Sequence, residues 1–188
     1  MEKYFRDKYG IENRIISYIG RLHPTKGIDL LIRAFALILK KYPDITLVLA
    51  GRGDDYYLKK IMEIAEALNI KHKIKYLGYI SEEDKIALID SSEVVILPTK
   101  HAGESYPMIM NEVLARNKPL ITTNISEALV SYAKTHRCLH ISNPDPESIA
   151  SKVIYIIEQH KYLKCEDSNI SSWNKIAEEL LHIYNNLL

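Results

Sequence analysis

Short runs of aliphatic residues alternate with amphipathic stretches along nearly the whole chain. The aliphatic runs have the length and composition of buried strands, which predicts strands at 15–19, 45–50, 73–77, 94–97, 120–123 and 138–141. Between them apolar residues recur with the spacing of one helix face, which predicts helices at 28–39, 54–68, 127–135, 146–159 and 172–187, and others beginning near 81 and 107. Repeated strand-to-helix alternation favours an α/β fold with a six-stranded parallel sheet between two helical layers.

Several predicted helices are bounded by residues that favour helix termini. A short lead-in helix within residues 1–12 should end at Gly10, since glycine readily adopts the left-handed backbone of helix C-termini. Ser81 and Asp84 have the spacing of a capping box. The Asp-Pro step at 145–146 is typical of a helix start, with the aspartate as cap.

Two further predictions depend on single residues. Pro107 suits a first helical turn, where its missing N–H is no loss, so Ser105 or Tyr106 would cap that helix. Trp173 opens the closing helix at 172–188, and its spacing with the apolar residues that follow predicts that it packs against the core.

Composition and charge restrict the class of protein and its partners. With 188 residues and 47% hydrophobic content, the chain suits one domain with a sizeable core. Lys and Arg number 25 against 24 for Asp and Glu, so no overall field favours nucleic acid or an anionic membrane as principal partner. The longest apolar stretch, 28–39, contains Asp29 and Arg33, which predicts a core helix rather than a transmembrane segment.

Cysteine and histidine usage argues against a disulfide framework or a metal site. Cys138 and Cys165 are far apart in sequence, so we expect two free thiols, as in a reducing compartment. The histidines at 23, 101, 136 and 140 show no ligand spacing, and we expect neither a metal nor a cofactor. The sequence shows no signal peptide, so we expect a cytoplasmic protein, or one that is peripheral at a membrane through a part outside this sequence.

Two glutamates are the strongest candidates for chemistry. Glu104 falls in the polar loop after the predicted strand at 94–97, and Glu112 falls about a turn and a half up the following helix. In an open parallel sheet, ligands bind beyond the carboxyl ends of the strands. Carboxylates at that edge could accept hydrogen bonds from the hydroxyls of a sugar or a ribose.

A second candidate element follows the first strand. The turn from Gly20 to Gly27 contains Arg21 and Lys26, which places two cations at a strand-to-helix junction and could bind a diphosphate. The turn is neither a Walker loop nor a dinucleotide-binding fingerprint. Taken alone, such a turn is more often simply solvated.

Together these elements resemble the retaining group 1 glycosyltransferases of GT-B fold. The resemblance rests on Glu104 and Glu112, which are separated by seven residues, and on the Gly-Arg to Lys-Gly turn. It is extended by the Ala-Gly-Arg-Gly turn at 50–53, the Leu-Gly-Tyr-Ile turn at 77–80 and the Ser-Trp start of the last helix. It covers about 15–184 and implies a Rossmann-like three-layer α/β/α domain, the carboxyl-terminal, donor-binding half of such an enzyme. Residues 1–188 would then form one nucleotide-sugar-binding domain.

The resemblance also implies a role for each matching residue. Arg21 and Lys26 would contact the donor phosphates and stabilise the departing diphosphate, while Glu104 would bind the sugar hydroxyls and Glu112 the ribose diol. The remaining donor-binding residues would be Gly20, Gly51 and Arg52 around the nucleotide, Tyr79 and Ile80 near the base, and the backbone N–H groups of Ser105, Tyr106 and Met108 at the phosphates. The activity implied is transfer of a hexosyl group from a nucleotide sugar to an acceptor hydroxyl.

The sequence also departs from the family pattern. Residues 124–127 read Asn-Ile-Ser-Glu where many members have a Gly-Gly turn and a Pro-Glu pair, so the backbone should approach the ligand less closely. No amino-terminal acceptor domain is present in this sequence. We therefore expect weak nucleotide-sugar binding and no sugar transfer by this chain alone. The alternatives are a non-catalytic partner subunit of GT-B type, the donor domain of a nucleotide-sugar epimerase, or a generic nucleotide-binding α/β domain.

Overall fold

The computed structural model describes residues 2–159, 165 and 172–187. Within these residues the strands are β1 Arg14–Ile19, β2 Ile45–Ala50, β3 Ile74–Gly78, β4 Ser92–Leu97, β5 Leu120–Thr123 and β6 Leu139–Ser142. The helices are α1 Glu2–Tyr9, α2 Ile28–Leu39, α3 Asp55–Ala67, α4 Glu82–Ser91, α5 Met108–Leu114, α6 Glu127–Thr135, α7 Pro146–Gln159 and α8 Trp173–Leu187. The sequence-based bounds are confirmed to within about two residues for most of these elements.

The strands form one parallel sheet in the order β3-β2-β1-β4-β5-β6. The chain proceeds from β1 towards one edge and from β4 towards the other, so the order reverses between these two neighbours. Helices cover both faces, which confirms the predicted three-layer, Rossmann-like α/β/α fold. Ligands of such sheets bind beyond the carboxyl ends of the strands at this reversal point.

The core lies between the sheet and its helices. The β1 and β2 strands are buried along nearly their whole length, as expected for strands covered on both faces. Helix α2 presents a fully buried stripe to the sheet, formed by Ile28, Leu31, Ile32, Phe35 and Ile38. This helix packs against α3 and α7. No described helix is both long and apolar enough to cross a membrane.

The lead-in helix is joined to α4 by a charged cluster. Ser81 caps α4 as predicted, with its hydroxyl accepting from the Asp84 N–H at 3.1 Å. The Asp84 carboxylate itself accepts from Lys8 at 2.7 Å and from Tyr9 at 2.9 Å. Burial alone would raise the pKa of Asp84, but these hydrogen bonds outweigh it and lower the pKa. The cluster thereby ties α1 to the body of the domain.

Helix α5 begins one residue later than predicted. Pro107 is its N-cap, with φ −66° and ψ 122°, and is not in the first turn. The prediction that Ser105 or Tyr106 caps this helix is therefore wrong. The extended ψ of the proline keeps it outside the helix, and the first bond runs from the Met110 N–H to its carbonyl at 2.9 Å. At the other end, Asn117 adopts φ 54° and completes a Schellman-type stop.

Two other predictions, on the packing of Trp173 and on the state of the cysteines, are wrong. Trp173 is 74% exposed, and α8 also exposes Leu180, Ile183 and Tyr184, so the tryptophan is not a packing residue among the described contacts. Cys138 and Cys165 are joined by a disulfide rather than being free, with their Cα atoms 5.2 Å apart. Helix α7 returns the chain to the start of β6, so a sequence separation of 27 does not keep the two cysteines apart in space.

Candidate functional site

The loops after β1 and β4 meet at the carboxyl edge of the sheet, where the strand order reverses. The Lys100 N–H donates to the Thr25 carbonyl at 2.8 Å, which joins the two loops through their backbones. Gly27 adopts φ 67°, and a Cβ at this position would overlap the carbonyl oxygen of Pro98. Only glycine allows this approach, which brings Lys26 and Glu104 to the same place.

Lys26 and Glu104 form an ion pair across this junction. Their side chains are 19% and 13% exposed, so the pair is largely shielded from water. The buried hydroxyl of Thr99 lies 3.3 Å from the same Glu104 oxygen and 3.3 Å from the Thr25 carbonyl. Ser126 donates to the Glu104 carbonyl at 2.7 Å, which fixes the backbone of the loop. Both the carboxylate and the backbone of Glu104 are therefore fixed by polar contacts.

The turn that contains Arg21 is fixed by a hydrogen bond to its backbone, whereas the residue itself is exposed. The hydroxyl of buried Tyr18 donates to the Arg21 carbonyl at 2.7 Å. Burial raises the pKa of Tyr18, and nearby Tyr57 and Glu104 add to the rise, so the phenol remains a donor at neutral pH. Arg21 is exposed. The sequence-predicted cation is thus placed on the same turn as Lys26 with its side chain accessible.

The turns after β2 and β3 lie beside the β1 turn. The Gly20 N–H donates to the Ala50 carbonyl at 2.9 Å, and the Gly51 N–H donates to the Gly78 carbonyl at 2.7 Å. Gly51 has φ 130°, and a Cβ there would overlap the Gly20 carbonyl oxygen. The three turns therefore form a continuous edge, and the small residue at 51 is required by the close backbone approach.

Arg52 and Tyr79 pair at this edge. The Arg52 guanidinium carbon lies 4.9 Å from the centroid of the Tyr79 ring. Tyr79 is 68% exposed, while Ile80 beside it is half-buried. The guanidinium thus lies over one face of the ring as a cation–π pair, which leaves the exposed faces of both groups for another ring to stack on.

Glu112 lies on α5 and faces α4 rather than Lys26. Its carboxylate accepts from Lys85 at 2.9 Å, and Lys85 also contacts Glu82 at 2.7 Å. The Glu112 side chain is 32% exposed and that of Lys85 is 18% exposed. Lys85 was not identified from the sequence, since a single lysine in a helix gives no signal of what it contacts.

The start of α5 has a polar network that the sequence did not reveal. The Tyr106 hydroxyl accepts from the Asn111 amide at 2.7 Å, and the Tyr132 hydroxyl donates to the Asn111 carbonyl oxygen at 2.5 Å. The Tyr106 and Tyr132 rings pack edge to face, with centroids 5.1 Å apart. Ser105 and Met108 are exposed on either side. The network orients the loop that contains the predicted backbone donors.

A second cluster, also unpredicted, stabilises the other side of the junction. Lys100 donates to the two carboxylate oxygens of Asp29 at 2.9 and 3.0 Å, and the Tyr57 hydroxyl lies 3.4 Å from one of them. Burial and the nearby carboxylate raise the pKa of Tyr57 to about 12. A groove of about 470 Å³ opens here between α2 and α3. Neither Lys26 nor Glu104 lines this groove, which flanks the candidate site.

Comparisons with known proteins show similarity to glycosyltransferases. The family model for group 1 glycosyl transferases matches residues 2–170. An uncharacterized glycosyltransferase, MJ1607, from Methanocaldococcus jannaschii is 26% identical over 96% of this chain and 47% of its own length. The D-inositol 3-phosphate glycosyltransferase of Corynebacterium urealyticum is 24% identical over 93% of this chain and 43% of its own length. The chain thus spans about half the length of these curated relatives.

Solved structures show the same fold. Anabaena Alr3699/HepE in complex with UDP and glucose superposes with a TM-score of 0.86 at 18% identity, over 98% of this chain and 52% of that protein. The C-terminal domain of a group 1 family glycosyl transferase, LpcC, from Francisella tularensis gives a TM-score of 0.73 at 21% identity, over 88% of this chain and 87% of that domain.

Proposed function

The chain belongs to the group 1 glycosyltransferases, and from this premise we propose that it is the donor-binding domain of a retaining glycosyltransferase. It binds a nucleotide-diphosphate sugar and contributes to transfer of a hexosyl group to an acceptor hydroxyl. Transfer takes place together with an amino-terminal acceptor domain or a separate acceptor subunit. The nearly buried ion pair of Lys26 and Glu104, formed at the reversal point of the sheet, is the observation that carries the proposal.

The two side chains of this pair suit opposite ends of a sugar–phosphate bond. Lys26 and the accessible Arg21 provide positive charge for the diphosphate, and Glu104 provides acceptor oxygens for the hydroxyls of the hexose. The complexes of Anabaena HepE with UDP and with UDP-glucose support this choice of ligand class, because that protein has the same fold.

The chemical step requires stabilisation of a leaving group. As the bond between the anomeric carbon and the phosphate oxygen breaks, the oxygen keeps the electron pair and negative charge grows on the diphosphate. Fixed cations at that position lower the energy of the transition state more than that of the bound donor. In this proposal Arg21 and Lys26 supply that charge, and no metal is required.

The remaining donor contacts follow the shape of the edge. Glu112 binds the ribose diol, Arg52 and Tyr79 lie along the base with Ile80 behind them, and the turns at Gly20 and Gly51 allow the nucleotide to approach the backbone. The N–H groups of Ser105, Tyr106 and Met108 face the phosphates. Ser126 lies where the family pattern implies a glycine turn, and its hydroxyl donates to the Glu104 carbonyl, which supports weak binding by this domain alone.

A panel of UDP-, GDP- and ADP-hexoses tests the proposal. Since a ligand that binds only the native state stabilises it, one member should raise the melting temperature and give ligand-observed NMR signals. Lys26→Met should abolish the effect. Lys41→Met is the matched control, since Lys41 forms an exposed ion pair with Glu158. If no member of the panel bound, the proposal would be wrong and a non-catalytic partner subunit would be the better description.

A further inference from the structure

Lys85 stands between the two parts of the site that are proposed to contact the nucleoside. It lies at the end of the first turn of α4, shortly after the turn that contains Tyr79. Its ammonium group lies 2.9 Å from the Glu112 carboxylate on α5. The lysine side chain therefore joins the element that follows β3 to the element that follows β4.

Among the described residues, the charged ammonium group of Lys85 has fewer partners than N–H donors. Burial alone would lower the pKa of Lys85, but the hydrogen bonds to Glu82 and Glu112 raise it. An ammonium has three N–H donors. In the described part of the chain, two of them are directed at Glu82 and Glu112, which leaves one donor for a ligand.

A carboxylate beside an ammonium suits a hydroxyl better than a carboxylate alone. Each ribose hydroxyl can donate one hydrogen bond and accept another. A hydroxyl that donates to Glu112 lies within reach of the neighbouring Lys85 N–H, which can donate to the same oxygen. Lys85 also fixes the rotamer of Glu112, since that carboxylate is one-third exposed and would otherwise be free to turn.

We propose that Lys85 is a ribose-binding residue, which donates a hydrogen bond to the diol held by Glu112 and orients that carboxylate. This inference rests on the proposed nucleotide-sugar function. If Lys85 binds the ribose, its removal should lower the affinity for a ligand with a ribose diol and not for one without it. A purely structural role would affect both ligands alike.

A cycle between ligand and protein tests this proposal. UDP, GDP and ADP are first titrated into the wild-type chain by ligand-observed NMR, and the one that binds is compared with its 2′,3′-dideoxy form. Lys85→Met keeps the aliphatic stem and removes the ammonium. Affinity for the ribonucleotide should fall about tenfold, as expected for a hydrogen bond to a charged group. Affinity for the dideoxy form should stay within about twofold, because that form has no diol for Lys85 to bind. Any lost attraction to the diphosphate is shared by the two ligands and cancels in their ratio.

A matched control and a measurement on the unaltered protein complete the test. Lys71→Met breaks an exposed pair with Glu66 and should leave both affinities unchanged. In the wild-type protein, the side-chain nitrogen resonance of Lys85 should shift on addition of the ribonucleotide and not of the dideoxy form. This second measurement applies even if Lys85→Met does not fold.

The outcomes separate this inference from the proposed function. If Lys85→Met binds the ribonucleotide with wild-type affinity, or weakens both ligands by the same factor, Lys85 is not a ribose-binding residue although the chain still binds nucleotides. An unmoved Lys85 resonance would lead to the same conclusion. If only a hexose derivative of these nucleotides binds, that nucleotide sugar and its 2′,3′-dideoxy form are compared instead. If the wild-type chain binds none of the three nucleotides and none of their hexose derivatives, the proposed function is wrong and this inference is wrong with it.

Discussion

Replacing Glu104 by glutamine separates the structural role of the Lys26–Glu104 pair from its role with ligand. The substitution keeps the size of the side chain and removes the charge that faces Lys26. Breaking a fully buried pair is strongly destabilising, by about 3–5 kcal/mol, whereas an exposed pair contributes about 0–1 kcal/mol. With side chains 19% and 13% exposed, this pair lies between these limits.

We therefore expect Glu104→Gln to lower the free energy of unfolding by about 2 kcal/mol. For a chain of this size that corresponds to a fall of roughly 4–8 °C in melting temperature. The matched control is Glu158→Gln, which breaks the half-exposed pair with Lys41 and should shift the melting temperature by less than about 4 °C.

Ligand binding should respond in the opposite sense for the phosphate and the sugar. Without the carboxylate, Lys26 is released for the diphosphate, so the affinity for the nucleoside diphosphate alone should be retained or increased. The extra affinity for the corresponding nucleotide sugar should fall, because the charged acceptor for its hydroxyls is replaced by a neutral amide oxygen, which accepts more weakly. Calorimetric titration of both ligands measures the ratio. An unchanged ratio would refute contact between Glu104 and the sugar, and a melting temperature equal to that of Glu158→Gln would refute the structural role.

Two further predictions concern the loops and the lead-in helix. Gly27→Ala should destabilise the domain by at least about 3 kcal/mol in urea unfolding, because the new Cβ overlaps the Pro98 carbonyl. The control Gly78→Ala has a similar φ of 66° but no atom within 4 Å of the new Cβ, so it should lose only about 1–2 kcal/mol through backbone strain. Equal losses in the two variants would refute the close approach at Gly27. Because the pKa of Asp84 is lowered in the folded state, its bonds to Lys8 and Tyr9 add stability above about pH 4, the pKa of an unfolded aspartate, and this contribution disappears as the pH falls through the folded pKa. In Asp84→Asn the free energy of unfolding, measured with urea at a series of pH values, should therefore fall less steeply at acid pH. An unchanged slope would contradict the assignment.

Hydrophobic periodicity and the residues typical of helix termini predicted most of the fold, because helices and strands depend largely on local sequence. The alternation of aliphatic runs with amphipathic helices was sufficient for the parallel sheet, and the turns with Arg21 and Glu104 were placed at one edge because the carboxyl ends of parallel strands meet there. The contact between Lys26 and Glu104 follows from that topology. Their assignment to phosphate and sugar remains a prediction.

These local patterns could not predict which residues distant in sequence are in contact. Cys138 and Cys165 are joined only because α7 returns to β6, and nothing in their spacing shows this. Trp173 has the spacing of a packing residue, but periodicity predicts that a helix has an apolar face and not what covers it. Lys85 is an ordinary helical lysine in sequence and acquires a role only when α4 and α5 are seen side by side.

Titration of the nucleotide sugar that binds the wild-type chain into an Arg21→Ala, Lys26→Ala double variant tests the central claim most directly. If these two side chains bind the diphosphate, loss of two charge-assisted contacts should weaken binding by about a hundredfold or more. Circular dichroism checks that the variant is folded. Wild-type affinity in the folded double variant would contradict the claim that the diphosphate binds at the junction of the β1 and β4 loops.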